Sequence, residues 1–128
     1  CEVAIFLLER ERGDLYERIN ARVDQMIREG LTEEVRRLLK RRLGKTARSA
    51  LGVPEMASYW SGERSLPQAV ELLKKNTRNY AKRQLSWFRH ERDVRPVPVA
   101  GGEHPARIAE KILKEWFDYA HHAWKRKP

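Results

Sequence analysis

A mostly helical α/β fold is predicted by three features of this 128-residue chain. Val3-Ala4-Ile5-Phe6-Leu7-Leu8 is a continuous apolar run bounded by charge, the pattern of a strand buried on both faces. Residues 94–99 alternate apolar side chains with Arg95, Pro96 and Pro98, the pattern of a short strand whose prolines confine it to an edge. Elsewhere apolar residues recur every three or four positions, the signature of amphipathic helices. The strands near 3–8 and 94–99 are assigned to a parallel sheet. Two strands alone make a poor sheet, so they either pair with each other beneath the helices or complete a sheet whose other strands lie outside this sequence. The second arrangement is expected.

The elements follow in order. Asp14, with Glu17 three residues on, is read as the N-cap of a first helix, a variant of the capping box. Leu15, Ile19, Val23, Met26 and Ile27 form its apolar face, and Gly30 is its C′ residue. Thr32 restarts a helix with Glu33 and Glu34 in the first turn, Val35, Leu38, Leu39 and Leu43 on the inner stripe, and Gly44 at the end. Leu51-Gly52-Val53-Pro54 is a turn, with Pro54 opening a short helix that carries Met56, Tyr59 and Trp60. Ser65 caps the longest helix, and Gln68 completes the box. Its apolar face is Val70, Leu73, Thr77, Ala81, Leu85 and Phe88. Gly101-Gly102 breaks the chain before a last helix, Ala106 to about Trp124, with Ile108, Ile112, Trp116 and Tyr119 inward. The length fits one region, 1–128, without a second domain.

The charge balance concerns partners more than fold. Lys and Arg number 27 against 18 Asp and Glu, a net +9, which favours an anionic partner such as nucleic acid over plain solubility charge. The only cysteine is Cys1, so no intrachain disulfide or cysteine metal site can form. His90, His104, His121 and His122 lack zinc-ligand spacing. The run Val3 to Leu8 is far too short to span a bilayer and lacks the flanks of a signal peptide. A soluble cytoplasmic protein is expected. Opening on Cys rather than Met and running straight into a strand, the chain reads as cut from something longer.

On the long helix, Lys74, Arg78, Lys82 and Arg89 share one stripe, and Asn76, Tyr80, Arg83 and Trp87 the adjacent one. Lys74 through Arg95 hold eight cations and two acids. Guanidinium groups bind phosphate bidentately, and aromatic planes stack on unpaired bases, so this mixture fits RNA loops better than a regular duplex. The alternative is a solvated face with Tyr80 and Trp87 in the core. Arg22 lies beside the apolar Val23, where a fixed cation could hold an anionic group or pair with a neighbouring acid. From Arg36 to Arg48 there are seven cations and no acid, either a solvated face or a patch tracking a phosphate backbone. There is no Gly-rich phosphate loop, no defensible catalytic triad and no acidic metal cluster.

Four blocks resemble the C-terminal part of the tRNA dimethylallyltransferase (tRNA isopentenyltransferase) family. They are Arg12-Gly13-Asp14-Leu15-Tyr16-Glu17-Arg18-Ile19 with Arg22-Val23-Asp24-Gln25-Met26; Gly30-Leu31-Thr32-Glu33-Glu34-Val35; Ala50-Leu51-Gly52 with Glu55-Met56; and Thr77 through Arg89. The resemblance is strong over 3–95 and weak over 101–128. It implies a C-terminal piece of a P-loop NTPase-like fold in an enzyme that moves a dimethylallyl group from dimethylallyl diphosphate to N6 of adenosine 37, beside the tRNA anticodon. The nucleotide-binding-type P-loop core, with magnesium and an Asp general base, would lie in the N-terminal part, outside this chain. The implied partners are the tRNA anticodon stem-loop and dimethylallyl diphosphate, with no membrane, in a monomer. Residue by residue, Arg22 matches the diphosphate-contacting Arg, and Arg78, Lys82, Arg83, Gln84, Ser86, Trp87 and Arg89 fall in a tRNA-contacting segment. Gly52 belongs to a second such segment, Ser49 to Pro54. There the family has Gly-Tyr followed by Lys or Arg, and this chain has Gly52-Val53-Pro54. The 128 residues alone are expected to be catalytically inactive. The other readings are a non-enzymatic helical RNA-binding module and a basic helical protein that docks on another protein.

Overall fold

In the computed structural model, which describes residues 4–91 and 94–125 (side chains through 119), the order is β1 (Ile5–Arg10), α1 (Arg12–Arg28), α2 (Leu31–Leu39), α3 (Lys45–Arg48), α4 (Val53–Trp60), α5 (Leu66–His90), β2 (Val94–Val99) and α6 (Pro105–Lys125). Val3, at the start of the expected strand, Cys1, and Arg92 and Asp93 of the cationic stretch lie outside the described residues. No described helix is long and apolar enough to cross a membrane. The chain divides into two compact units, Cys1–Leu15 with Leu85–Pro128, and Tyr16–Gln84. Both α1 and α5 run from one unit into the other.

The first unit holds the sheet. β1 and β2 pair in parallel, with Ile5 opposite Val94 and Arg10 opposite Val99. The strands therefore pair with each other, and among the described residues the sheet has two strands. Burial on both faces of β1 does not hold here: Ile5 and Leu8 are exposed, while Val97 and Val99 of β2 are buried. A strand needs a layer on each side to bury both faces, and α6 packs on β2. Lys111 of α6 donates from Nζ to the Pro98 carbonyl at 3.0 Å and pairs with Glu103 at 2.6 Å. The Arg95 guanidinium lies 4.5 Å from the centre of the Tyr119 ring. Ile108, Ile112 and Tyr119 are half-buried as expected, but Trp116 is exposed.

The cap of α1 is Glu11, not Asp14. Its carboxylate accepts the Asp14 N–H at 3.0 Å, and Leu15 N–H reaches the Glu11 carbonyl at 3.0 Å, so the helix begins earlier than Asp14. Those backbone donors, Gly13 first and Asp14 next, hold the Glu11 carboxyl below its usual range. Asp14 is thereby free to accept from Arg10 at 2.8 Å.

The second unit has a helical core of Val23, Val35, Met56, Ala69 and Leu73, with Ile27, Leu31, Val53, Tyr59, Leu66 and Val70 packed around it. Gly30 takes φ 100°, a left-handed turn that ends α1 and starts α2, and glycine enters it without the Cβ penalty. α2 stops at Leu39 and does not reach Gly44; Arg41 N–H closes a tight turn on the Leu38 carbonyl at 2.9 Å. Like charges four apart, Arg36 with Lys40 and Arg37 with Arg41, oppose continuing the helix. Gly44 instead precedes α3. Trp60 Nε1 donates to the Thr32 carbonyl at 2.9 Å, fixing α4 against α2. The capping box at α5 forms as read: Ser65 N–H reaches Gln68 Oε1 at 2.9 Å, and Gln68 N–H reaches Ser65 Oγ at 3.4 Å.

Candidate nucleic-acid interface

α5 is amphipathic, and its packed stripe fixes what it shows outward. Leu73 is buried, and Val70, Thr77, Ala81, Leu85 and Phe88 are half-buried. In the second unit Lys82, Arg83 and Gln84 are exposed, and the Arg83 guanidinium lies 5.9 Å from the centre of the exposed Tyr80 ring. In the first unit Ser86 and Trp87 are exposed, with the indole 58% accessible and edge-on to Phe88 at 4.8 Å between centroids. Tyr80 and Trp87 are therefore not core residues.

Three further cations of the helix are engaged within the protein. Arg78 is half-buried and donates from Nη1 to Asn20 Oδ1 at 2.5 Å. Lys74 pairs with Asp24 at 2.8 Å and Glu71 at 3.3 Å, and the bond to Asp24, more than any other contact, raises its ammonium above the usual range. Arg89 donates from Nε to Glu9 at 2.9 Å while staying largely exposed. Two of the expected RNA-facing guanidiniums, Arg78 and Arg89, thus hold acceptors of this chain.

Gly52 is buried, takes φ 98°, and gives its N–H to Glu55 Oε2 at 2.9 Å. The exposed members of its segment are Ser49, Ala50, Leu51 and Pro54. Glu55 is only 3% exposed, and its other oxygen accepts from Asn76 Nδ2 at 2.7 Å. Asn76 therefore turns inward and leaves the outward stripe on which helical spacing places it. This carboxylate joins the 49–54 segment to α5 and was not among the expected site residues. Its sequence signal is a Glu three residues after a helix-starting Gly.

Arg22 lies on the rim of a cleft of about 730 Å³, lined also by Arg18, Met26 and Leu51 and floored by Val23, Leu73 and Thr77. Its guanidinium is exposed, 3.5 Å from Gln25 Oε1, so it is poorly held by its own chain and available to an anion. Arg22 and the outward residues of α5 belong to different surfaces of the sequence pattern, and Arg22 shares its cleft with Thr77 rather than with Lys82 or Arg83. Among the described residues no group of three or more His, Cys, Asp or Glu could hold a metal ion.

Residues 1–91 match the IPP transferase family model. The chain is 47% identical over 107 residues to a tRNA dimethylallyltransferase of Lactococcus lactis subsp. cremoris, covering 84% of this chain and 36% of that protein. It is 48% identical over 109 residues to the one of Halothermothrix orenii, covering 84% of this chain and 33% of that protein. The structure is similar to the tRNA isopentenylpyrophosphate transferase of Bacillus halodurans, with a TM-score of 0.76 and 38% identity over 93% of this chain and 42% of that one. For the Staphylococcus epidermidis tRNA isopentenylpyrophosphate transferase the TM-score is 0.74, with 30% identity over 91% of this chain and 38% of that one. The chain spans about a third of the length of the curated relatives it matches. With its helical architecture, its parallel strand pair and a family match that extends over most of its length, the chain belongs to the IPP transferase family.

Proposed function

We propose that this chain is the tRNA-gripping part of a tRNA dimethylallyltransferase, and that it presents Arg22 to the diphosphate of the prenyl donor. The reaction proposed is transfer of a dimethylallyl group to N6 of adenosine 37 in the anticodon loop. The adenine N6 lone pair attacks the allylic carbon, the carbon–oxygen bond to diphosphate breaks with its electron pair on oxygen, and N6 gives up a proton. Arg22 stabilises the negative charge that builds on the departing diphosphate. The cleft suits such a donor, because a prenyl diphosphate is apolar at one end and anionic at the other. Val23, Met26 and Leu73 line it with carbon, and Arg18 and Arg22 carry its charge.

The single observation that carries the RNA reading is the outward face of α5. Lys82, Arg83, Gln84, Ser86 and Trp87 are exposed while Lys74, Arg78 and Arg89 are paired within the chain, leaving cations for phosphate and an indole for an unpaired base. Among the described residues there is no group of three or more His, Cys, Asp or Glu to hold magnesium. The base acting on N6 and the groups holding magnesium are assigned to polypeptide outside this chain, so the 128 residues alone should transfer nothing.

Binding of an anticodon stem-loop, followed against salt concentration, tests the assignment. Lys82→Ala with Arg83→Ala should weaken binding and flatten the salt slope by between one and two units. An unchanged affinity and slope would remove α5 from the tRNA surface. Prenyl transfer to tRNA by the isolated 128-residue chain would refute the division of labour.

A further inference from the structure

Helix α5 leaves the densest positive charge of the chain unexplained. Arg37, Lys40, Arg41, Arg42, Lys45 and Arg48 are all exposed, and among the described residues none of their side chains forms a hydrogen bond or an ion pair. Only Arg36, at the start of this run, is engaged, with Glu33 at 3.6 Å and over the Trp60 ring at 4.6 Å. Several cations elsewhere are paired with acids: Arg10 with Asp14, Lys74 with Asp24, Arg89 with Glu9 and Lys111 with Glu103.

The C-terminal dipole of α2 accounts for Arg36 and Arg37, which sit in its last turn, but not for the cations beyond Leu39. Buried Val35 with half-buried Leu38 and Leu43 anchors the segment from within and leaves the cations to solvent. Like charges this near in sequence repel within a screening length of about 8 Å, and a polyanion relieves that repulsion. Both α2 and α3 pack against α4, and Ser49–Gly52 joins α3 to α4, so the cations run directly into the second segment assigned to tRNA.

Composition identifies the form of the partner. From Arg36 to Arg48 there is no aromatic residue to stack on a base, in contrast to α5 with Tyr80 and Trp87. Arginine and lysine without stacking planes recognise backbone phosphates, and phosphates at regular spacing belong to a paired stem. We propose that residues 37–48 form a second, sequence-independent RNA surface that grips the phosphates of an RNA stem, while α5 handles the unpaired loop. The inference rests on the RNA reading given above.

The test measures binding of the protein to anticodon stem-loops of decreasing stem length over a range of salt concentrations. Arg41→Gln, Arg42→Gln and Lys45→Gln together should lower the salt slope by about two units and affinity by at least tenfold. They should also make affinity indifferent to stem length. A charge-keeping triple, Arg41→Lys, Arg42→Lys and Lys45→Arg, should behave as the parent and so exclude misfolding as the cause. If Lys82→Gln with Arg83→Gln weakens binding at every stem length while the neutral triple keeps the parental slope, the stem surface is wrong and the α5 reading stands. If the parent binds no stem-loop, both are wrong. If the neutral triple binds RNA normally but loses binding to vesicles of phosphatidylserine in phosphatidylcholine, the patch belongs to a membrane and the inference is overturned.

Discussion

Asn76 Nδ2 donates to Glu55 Oε1 at 2.7 Å inside the helical core, while the Gly52 N–H holds the other oxygen of the same carboxylate at 2.9 Å. A polar group this deeply buried persists when its oxygens are satisfied, and here both oxygens accept a hydrogen bond. The bond crosses from the start of α4 to the middle of α5, so one carboxylate sets the position of the 49–54 turn against the helix that carries Lys82 and Arg83. Glu55→Ala should lower stability by about 2–3 kcal/mol, measured by urea unfolding, because it strands two donors and removes a helix cap. Asn76→Asp gives a sharper result. It sets two carboxylates against each other, so the variant should be weakened at neutral pH and should regain stability relative to the parent as the pH falls and the repulsion is relieved.

Trp87 is 58% accessible, so its removal touches little packing. Trp87→Ala should leave the unfolding midpoint within about 0.5 kcal/mol of the parent. It should weaken anticodon stem-loop binding by about 1–3 kcal/mol with the salt slope unchanged, because stacking releases no counterions. A large stability loss would place the indole in the core instead.

Two ion pairs predict opposite limbs of the pH–stability curve. The Lys74 ammonium is raised above its ordinary 10.5, chiefly by its bond to Asp24. That contribution is complete below 10.5 and is lost as the pH climbs through the folded value, so Lys74→Met should flatten the alkaline limb. The Glu103 carboxyl is lowered below 4.5, first by Lys111 and then by the Ala100 N–H. Its contribution is complete above 4.5 and is lost as the pH falls through the folded value, so Glu103→Gln should flatten the acid limb. Thermal unfolding across the pH range checks both.

Arg22 is exposed and has one distant hydrogen-bond partner, so Arg22→Ala should be nearly neutral for folding. If Arg22 meets the diphosphate as proposed, the change should lower kcat of the complete transferase by about 10²–10³, with a smaller effect on tRNA affinity, because such an interaction would strengthen as the diphosphate departs. Arg22→Lys should recover only part of the loss, since an ammonium cannot bind the diphosphate bidentately. An unchanged kcat would take Arg22 out of the reaction.

Much of the fold was legible because local rules agreed with each other. The Ser65–Gln68 box, the Gly30 turn, the Pro54 helix start and the stripe from Val70 to Phe88 depend on neighbours within four residues, and each lies where the sequence places it. The misreadings came from choices among equivalent local partners. Glu11 and Asp14 can both cap α1; the longer Glu reaches the third N–H, and Arg10 claims the Asp. Helical spacing put Asn76 beside Tyr80 on the outer face, but Glu55, distant in sequence, draws its amide inward.

The sequence by itself determined the amphipathic helices, the cationic excess and the family motif, since periodicity, charge and motif are properties of residue order. Only the tertiary structure decided how the cations divide. Arg78, Lys74 and Arg89 find Asn20, Asp24 and Glu9, partners more than forty residues away, while among the described residues Lys82, Arg83 and the run beyond Arg36 find no hydrogen-bond or ion-pair partner, and Arg83 meets only the ring of its helix neighbour Tyr80. Availability of a charge depends on what the fold brings within about 4 Å of it, and helical spacing carries no information about residues that distant in the chain.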